Sequence, residues 1–124
     1  MVIASRIART LPRPTELPAW ARVDSRIVDG HDVLFRPDGQ GLFRNMPNPF
    51  RAVRYHSLIV QADSLPPGFI VTATAEDDGE IMGLRHEVLP IEGMQFHPES
   101  VMTEDGMRIV QNFVAMVERS SLPV

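Results

Sequence analysis

The order of hydrophobic and polar positions in this chain predicts a block of short strands followed by one amphipathic helix. The stretches Phe50 to Tyr55, Leu58 to Val60 and Phe69 to Thr74 alternate in polarity or are rich in β-branched and aromatic residues, which is typical of strands. Asp77-Asp78-Gly79 predicts a hairpin turn with a solvated acidic tip, after which Glu80 to His86 forms the return strand.

A candidate functional motif follows the last predicted strand. The apolar stretch Ile91 to Phe96 predicts a buried strand that runs extended through His97, because Pro98 disfavours helical geometry in the residue before it. Residues two apart in an extended chain point to the same side, so His97 and Glu99 are expected to share a face. Open α/β sheets place their chemistry at such strand ends, which makes the pair a candidate acid/base. The triplet alone is also consistent with a structural histidine.

The C-terminal part of the sequence predicts the helix. Thr103 is a candidate N-cap, and Glu104 and Asp105 lie in the first turn, where the helix dipole favours negative charge. The helix is expected to end near Arg119, and Met102 is expected to pack at the helix start. The following residues recur at spacings of three and four and are expected to form the buried stripe: Met107, Val110, Phe113, Val114 and Val117.

The first quarter of the chain differs from the remainder in composition. Three prolines, Pro12, Pro14 and Pro18, forbid a continuous helix and predict a loop or extended linker. Residues 1–27 hold five Arg against two acids, whereas residues 28–124 hold seven Arg against fourteen acids. An Arg-rich, acid-poor N-terminus can resemble an organelle transit peptide, but the prolines disfavour the amphipathic helix that such a peptide needs. Residues 1–27 are therefore left unassigned.

Composition excludes several classes of function. A length of 124 residues fits one domain, and the net charge of −4 gives no general reason to expect nucleic acid or an anionic membrane as partner. No apolar run approaches the ~20 residues that a membrane span requires. The chain has no cysteine, which removes disulfides, zinc-thiolate sites and any cysteine nucleophile of its own. Its four histidines lack metal-ligand spacing, so no metal site is expected.

Several motifs together resemble one enzyme family. QFHPES at residues 95–100 is similar to the His/Glu signature of class I glutamine amidotransferases. RYHSL at 54–58, GQGLFRNMPNPF at 39–50 and the run from Glu92 to Phe113 resemble the chorismate-utilising branch of that family. The resemblance covers residues 28–119 and leaves 120–124 as a tail.

The resemblance implies a fold and a role. The implied fold is α/β: the C-terminal portion of a flavodoxin-like class I glutamine amidotransferase domain. The implied role is the glutaminase component of anthranilate synthase or aminodeoxychorismate synthase, in tryptophan or folate biosynthesis, without a cofactor and in the cytoplasm. A carbamoyl-phosphate or guanylate synthase type of amidotransferase is a weaker alternative, because RYHSL and the TEDG helix entry argue against it.

The resemblance also implies roles for individual residues. His97 matches the general acid/base and Glu99 the carboxylate that orients it, in enzymes where a cysteine thiolate attacks the side-chain amide of L-glutamine. Ser57 and Leu58 match positions whose backbone lines the bound glutamine. The implied partner is a chorismate-binding synthase subunit that receives ammonia.

The chain departs from the family in one large respect. The nucleophile elbow with its cysteine and the Gly-rich oxyanion loop of the family have no counterpart in this sequence. The chain is therefore expected to be inactive alone and to need a complementary Cys-bearing N-terminal half. The strand before His97 would then present an exposed apolar edge. The alternative is a non-catalytic pseudo-amidotransferase module that docks on or regulates a synthase subunit.

Overall fold

A computed structural model describes residues 2–3, 21–23, 32–54 and 58–121 of the chain. These residues form eight strands and one α-helix, with 3-10 turns at Gly41–Phe43 and Ala62–Ser64. In chain order the elements are β1 (Val2–Ile3), β2 (Ala21–Val23), β3 (Asp32–Pro37), β4 (Phe50–Val53), β5 (Leu58–Val60), β6 (Phe69–Ala75), β7 (Ile81–His86), β8 (Glu92–Met94) and α1 (Gly106–Ser121).

The strands form two sheets. The larger has six strands in the order β1-β8-β7-β6-β3-β4, and the smaller pairs β2 with β5. Every pair among the described strands is antiparallel. The predicted hairpin at Asp77–Gly79 is confirmed, since it joins β6 to β7 and Gly79 has the positive φ of +73° that such a turn needs. The predicted strand-rich block followed by one helix is likewise confirmed.

An aromatic cluster forms the centre of the core. Phe35, Phe43, Phe50 and Phe96 are fully buried or nearly so, and their ring centroids lie 5.2 to 6.1 Å apart. Such spacing is that of favourable tilted and edge-to-face aromatic pairs. Because Phe96 immediately precedes His97, the core fixes the chain at the start of the candidate motif.

The helix packs on this core with a different side from the one predicted. Ile109 is fully buried, and Phe113 and Met116 pack against the cluster. The side chain of Asn112 fixes this orientation, because its Nδ2 donates to the carbonyl oxygens of Leu42 at 2.8 Å and Arg44 at 2.9 Å.

The predicted buried stripe of the helix was therefore wrong in all but Phe113. The exposed fractions are 66% for Met107, 37% for Val110, 47% for Val114 and 41% for Val117, and Met102 is also exposed at 57%. The period of the pattern was correct, but the apolar arc of this helix is wider than the ~100° that one packed face needs. Periodicity alone does not say which flank of a wide arc meets the core.

Two strands lie in the segment predicted to be a loop or linker. β1 pairs with β8 through Val2↔Met94 and Ile3↔Gly93, and β2 pairs with β5. The strand before His97 therefore has a neighbour on each side within the described residues, and the expected exposed edge there is absent. Strands of two and three residues are too short to show a period in the sequence.

A buried carboxylate joins β8 to the turn that follows β3. The side chain of Glu92 is 2% exposed, its Oε1 accepts the Leu42 N–H at 3.0 Å, and Arg85 Nη1 lies 3.5 Å from it. Gly41 makes room for this carboxylate, because a Cβ there would lie 2.6 Å from both oxygens of Glu92. Burial raises the pKa of Glu92 above its ordinary value, and the Leu42 and Arg85 contacts oppose that shift in part.

We predict a pH-dependent difference in stability between the wild-type chain and Glu92→Gln. A carboxyl with a raised pKa in the folded state holds its proton more tightly than in the unfolded chain, so ionisation costs stability as the pH rises above 4.5. The free energy of unfolding of the wild type should therefore fall relative to that of Glu92→Gln from about pH 4.5 upward, and the difference should level off above the folded pKa. Urea unfolding at a series of pH values measures this, and a difference that does not change with pH would contradict it.

Candidate active site

The structure brings the two residues of the predicted acid/base pair into contact. Nδ1 of His97 lies 2.7 Å from Oε1 of Glu99. β8 ends at Met94, earlier than predicted, and a turn after Pro98 places Glu99 beside the ring. The pair is accessible, with exposed side-chain fractions of 41% for His97 and 69% for Glu99.

The electrostatics of the pair favour an ionised Glu99. Its pKa lies below the ordinary value because its own backbone N–H donates to it and because the His97 ring forms a hydrogen bond with it. An ionised carboxylate is only an acceptor, so we assign the proton of the neutral ring to Nδ1. Nε2 is then the basic nitrogen of His97. When Nε2 accepts a proton, the ring becomes positively charged, and the Glu99 carboxylate stabilises that charge.

A threonine clamp fixes the backbone at His97. The hydroxyl of Thr103 donates to the carbonyl oxygen of His97 at 2.7 Å and accepts the N–H of Val53 at 3.4 Å. The N–H of His97 in turn donates to the carbonyl of Val53 at 3.2 Å. We refer to these three bonds as the Thr103 clamp, and they attach the motif to the end of β4.

The clamp corrects the prediction that Thr103 caps the helix. α1 begins at Gly106, and the Thr103 hydroxyl is engaged with His97 and Val53 instead. Gly106 is required at the helix start, because a Cβ there would collide with the carbonyl oxygen of Pro98. Glu104 adds a second link, since its N–H donates to Arg51 O at 2.8 Å and its Oε2 accepts the Arg51 N–H at 3.1 Å. Thr103 and Glu104 therefore both attach the turn between the motif and α1 to β4.

The structure describes only one of the two residues that were predicted to contact glutamine. Leu58 is the first residue of β5 and is 39% exposed. Ser57 lies outside the described residues. The structure therefore places Leu58 at a strand end, while the roles of Ser57 and Leu58 stay predictions.

An ion pair that sequence reasoning missed lies directly after β4. Arg54 is 1% exposed, and its Nη1 lies 2.9 Å from Asp78 Oδ2 and 3.5 Å from Asp77 Oδ1. The hairpin tip is therefore not simply solvated, since the Asp78 side chain is only 13% exposed. A buried arginine needs an acidic partner. The sequence has an Arg at the end of an apolar strand and two adjacent acids at a hairpin tip, and these could have predicted the ion pair.

We predict that the pKa of Glu99 depends on His97. Replacing His97 by Ala removes the side-chain hydrogen bond but leaves the Glu99 backbone N–H in place. The pKa of Glu99 in His97→Ala should lie above its pKa in the wild type and below 4.5. Carbon-detected NMR titration of the carboxyl group measures both values, and equal pKa values in the two proteins would show that the contact is absent in solution.

We also predict that the Thr103 hydroxyl stabilises the fold. Thr103→Val keeps the shape of the side chain but leaves the Val53 N–H and the His97 carbonyl without this partner, which should cost about 1–3 kcal/mol. Thr103→Ser is the matched control, because it keeps the hydroxyl and should lose less. Chemical unfolding compares the three proteins. A loss in Thr103→Ser that equals or exceeds the loss in Thr103→Val would show that the hydroxyl contributes no more than the methyl group, and would contradict the prediction.

Comparison with known proteins agrees with this geometry. The family model described as glutamine amidotransferase class I matches residues 15–117. Its first matched residue lies inside residues 1–27, which the motif comparison left unassigned.

The fold has relatives among solved structures. The chain superposes on a Thermoplasma acidophilum protein described as part of a GMP synthase with a TM-score of 0.71 at 20% identity, covering 81% of this chain and 49% of that one. It superposes on a glutamine amidotransferase from Thermotoga maritima with a TM-score of 0.52 at 18% identity, covering 83% and 42%. Both likenesses concern the fold, and they confirm the predicted fold class.

Relatives found by sequence share a higher identity with the chain than these two structures do. Anthranilate synthase component 2 of Methanocaldococcus jannaschii is 46% identical over 97 residues, covering 72% of this chain and 48% of the relative. Aminodeoxychorismate synthase component 2 of Serratia marcescens is 47% identical over 91 residues, covering 71% and 48%. Aminodeoxychorismate/anthranilate synthase component 2 of Bacillus subtilis is 48% identical over 89 residues, covering 72% and 45%.

The chain spans about half the length of these curated relatives. Its family match covers most of the described residues and includes the His97–Glu99 pair. The chain therefore belongs to the class I glutamine amidotransferases, in the branch whose members are components of anthranilate and aminodeoxychorismate synthases.

Proposed function

We propose that this chain is the C-terminal, histidine–carboxylate half of a glutaminase that releases ammonia from L-glutamine. The observation that carries the proposal is the 2.7 Å contact between His97 Nδ1 and Glu99 Oε1 at an accessible position. The contact supports the proposal because the histidine base of a nucleophile–histidine–acid triad needs a carboxylate that orients its ring in this way.

The chemistry assigned to the pair follows from the ring tautomer. Nε2 of His97 takes the proton of the thiol, and the thiolate attacks the side-chain amide carbon of glutamine. The C–N bond then breaks as Nε2 returns this proton to the leaving nitrogen, which departs as ammonia. Water attacks the resulting thioester while Nε2 takes a proton from it, and that proton passes to the departing sulfur, giving glutamate and regenerating the thiol. Glu99 keeps Nδ1 protonated throughout and stabilises the charged ring, so each proton passes through Nε2.

The substrate site is proposed to lie at the loop between β4 and β5. Ser57 and Leu58 are assigned to glutamine through their backbone groups. The Thr103 clamp supports this placement, since it attaches the His97 backbone to Val53 at the end of β4, just before that loop. The buried Arg54, held by Asp78, fixes the chain directly after β4.

The nucleophile has to come from outside this sequence. The chain contains no cysteine, and the thiolate and the oxyanion-stabilising donors are assigned to a complementary Cys-bearing N-terminal half of the domain. Without them the chain alone is inactive, because no covalent step is available and a tetrahedral intermediate would lack its stabilising donors. Whether the halves belong to one polypeptide or two does not change the roles of His97 and Glu99.

The ammonia is proposed to pass to a chorismate-binding synthase subunit. Relatives named for anthranilate synthase and for aminodeoxychorismate synthase match at almost the same identity, 46% and 47%. The acceptor chemistry belongs to the partner subunit, so both pathways stay open.

The family leads us to expect a cytoplasmic location. The part of the chain that the structure describes contains no helix with the length and apolar character of a membrane span.

The absence of cysteine also favours a second candidate function. A pseudo-amidotransferase module would keep the surface of the domain and dock on or regulate a synthase subunit without catalysis. That role makes no use of the His97–Glu99 contact, so the effect of a His97 substitution on ammonia release separates the two candidates.

We predict that ammonia release requires both halves and His97. The complementary half is made from the portion of the Bacillus subtilis relative that this chain does not match, since the chain covers 45% of that relative. The mixture should release ammonia from glutamine, the chain alone should not, and His97→Ala should lower the rate by about 10²–10⁴-fold because proton transfer is lost. A coupled glutamate dehydrogenase assay measures the rate.

Glu99→Gln should also lower the rate, since an amide does not stabilise the charged ring. Glu87→Gln is the matched control, because Glu87 is an exposed residue of the β7–β8 connection, and it should leave the rate unchanged. A mixture that is active with His97→Ala, or inactive with the wild-type chain although the halves associate, would contradict the proposal.

A further inference from the structure

A buried charge lies next to the backbone that holds His97. Arg54 directly follows β4 and is among the largest fully buried side chains of the described residues. A guanidinium loses its hydration on burial, and replacing a buried ion pair by apolar groups of similar volume is often neutral or stabilising. The stability of the fold therefore does not by itself explain a charge at this position.

The carboxylate that contacts Arg54 is held on a tight turn. Arg54 Nη1 lies 2.9 Å from Oδ2 of Asp78. The other oxygen of this carboxylate, Oδ1, accepts the N–H of Glu80 at 2.9 Å. The turn itself is closed by the N–H of Gly79, which donates to the carbonyl oxygen of Ala75 at 2.9 Å. The guanidinium of Arg54 is thus fixed to a defined point of the β6–β7 hairpin.

The ion pair links two strands that are not neighbours in the sheet. In the order β7-β6-β3-β4, the strand β3 separates β4 from the hairpin. The contact between Arg54 and Asp78 is therefore a second connection between the end of β4 and the hairpin, in addition to the backbone ladders of β3.

The peptide group before Arg54 forms part of the attachment of the motif. The carbonyl oxygen of Val53 accepts the His97 N–H at 3.2 Å, and the Val53 N–H donates to the Thr103 hydroxyl at 3.4 Å. The Val53 carbonyl and the Arg54 nitrogen share one planar peptide, so the position of Arg54 sets the direction of that carbonyl. Protein N–H···O bonds mostly span roughly 2.7–3.2 Å, so both bonds are long and a further small displacement would weaken them.

We propose that Arg54, held by Asp78, is a positioning residue for His97. This inference rests on the proposed function, in which His97 moves protons, and adds a residue that acts through the backbone. Asp78 fixes Arg54, and the peptide between Val53 and Arg54 then fixes the N–H of His97. The placement of a catalytic group matters for the rate, because a misplacement of about 1 Å can cost roughly 10²-fold.

The first test uses the chain alone and two variants of the same hairpin. Asp78→Asn keeps the shape of the side chain and an oxygen for the turn but removes the charge that faces Arg54. Glu76→Gln is the matched control, because it removes an ion pair of the same 2.9 Å length, to Arg36, that is exposed to solvent. Hydrogen exchange by NMR should show the His97 N–H exchanging at least about tenfold faster in Asp78→Asn and at the wild-type rate in Glu76→Gln.

An internal reference separates a local effect from a loss of overall stability. The N–H of Gln95 lies two residues before His97 and donates to the carbonyl oxygen of Met82 on β7 at 2.9 Å. Global destabilisation accelerates the exchange of both amides, whereas loss of positioning accelerates that of His97 alone. Equal acceleration of both amides in Asp78→Asn, or the same His97 rate in the two hairpin variants, would overturn the proposal.

A double variant covers the loss of stability expected from Asp78→Asn, which leaves a buried charge facing an amide. Arg54→Met combined with Asp78→Asn removes that charge and fills part of the same volume, so it should recover stability in urea unfolding. It lacks a directional contact with the hairpin, so the His97 N–H should still exchange at least about tenfold faster than in the wild type. Recovery of both stability and the wild-type exchange rate would make the pair purely structural and overturn the proposal.

The second test measures ammonia release by the mixture of this chain with the complementary half. In the double variant kcat should fall at least about tenfold and KM for glutamine should change less than about twofold, whereas Glu76→Gln should keep both values. A rise in KM with unchanged kcat would assign the pair to substrate binding, and unchanged kcat and KM would remove it from the reaction; either result would overturn the proposal. The predicted exchange rates in a wild-type mixture that releases no ammonia would overturn the proposed function and leave the link between Arg54 and His97 intact.

Discussion

The Thr103 clamp is the interaction on which the candidate site depends. A single buried hydroxyl bonds the carbonyl of His97 and the N–H of Val53, and so links the motif to the strand that leads into the proposed glutamine loop. Phe96 fixes the chain on one side of His97 through the aromatic core, and Gly106 allows the helix to start directly under Pro98. The His97–Glu99 pair lies on an irregular turn, but contacts fix Phe96 before the pair and Thr103 after it. Exposed side chains at a well-anchored backbone suit a group that must meet a substrate and another part of a domain.

Local patterns predicted the features that depend on local geometry. The Asp-Asp-Gly turn and its flanking strands follow from residues close together in sequence. His97 and Glu99 were predicted to share a face of an extended strand, but the strand ends at Met94 and a turn at Pro98 and Glu99 brings them into contact instead. The role of the pair and the branch of the family came from resemblance rather than from periodicity. The comparisons confirm the family, whereas the residue roles stay proposals.

The features that escaped prediction all depend on distant contacts. Thr103 has the composition and position of an N-cap, but bonds to Val53, fifty residues away, outweigh the local preference. Arg54 and Asp78 pair across 24 residues, which no local window shows. The phase of α1 was wrong because both flanks of the helix are apolar, and Asn112 chooses between them through the carbonyls of Leu42 and Arg44. The prediction failed because two apolar flanks compete and the polar contacts of Asn112 decide between them.

The absence of a cysteine from this sequence has one explanation under the proposed function. The central claim is that His97 and Glu99 act on a thiol contributed by a docked Cys-bearing half. The most direct measurement is the rate at which iodoacetamide alkylates that cysteine near neutral pH, with and without this chain. A histidine base beside a thiol raises the thiolate fraction, so the account predicts faster alkylation with the wild-type chain and no such increase with His97→Ala. Equal alkylation rates with the wild-type chain and with His97→Ala, in a complex shown to form, would contradict it.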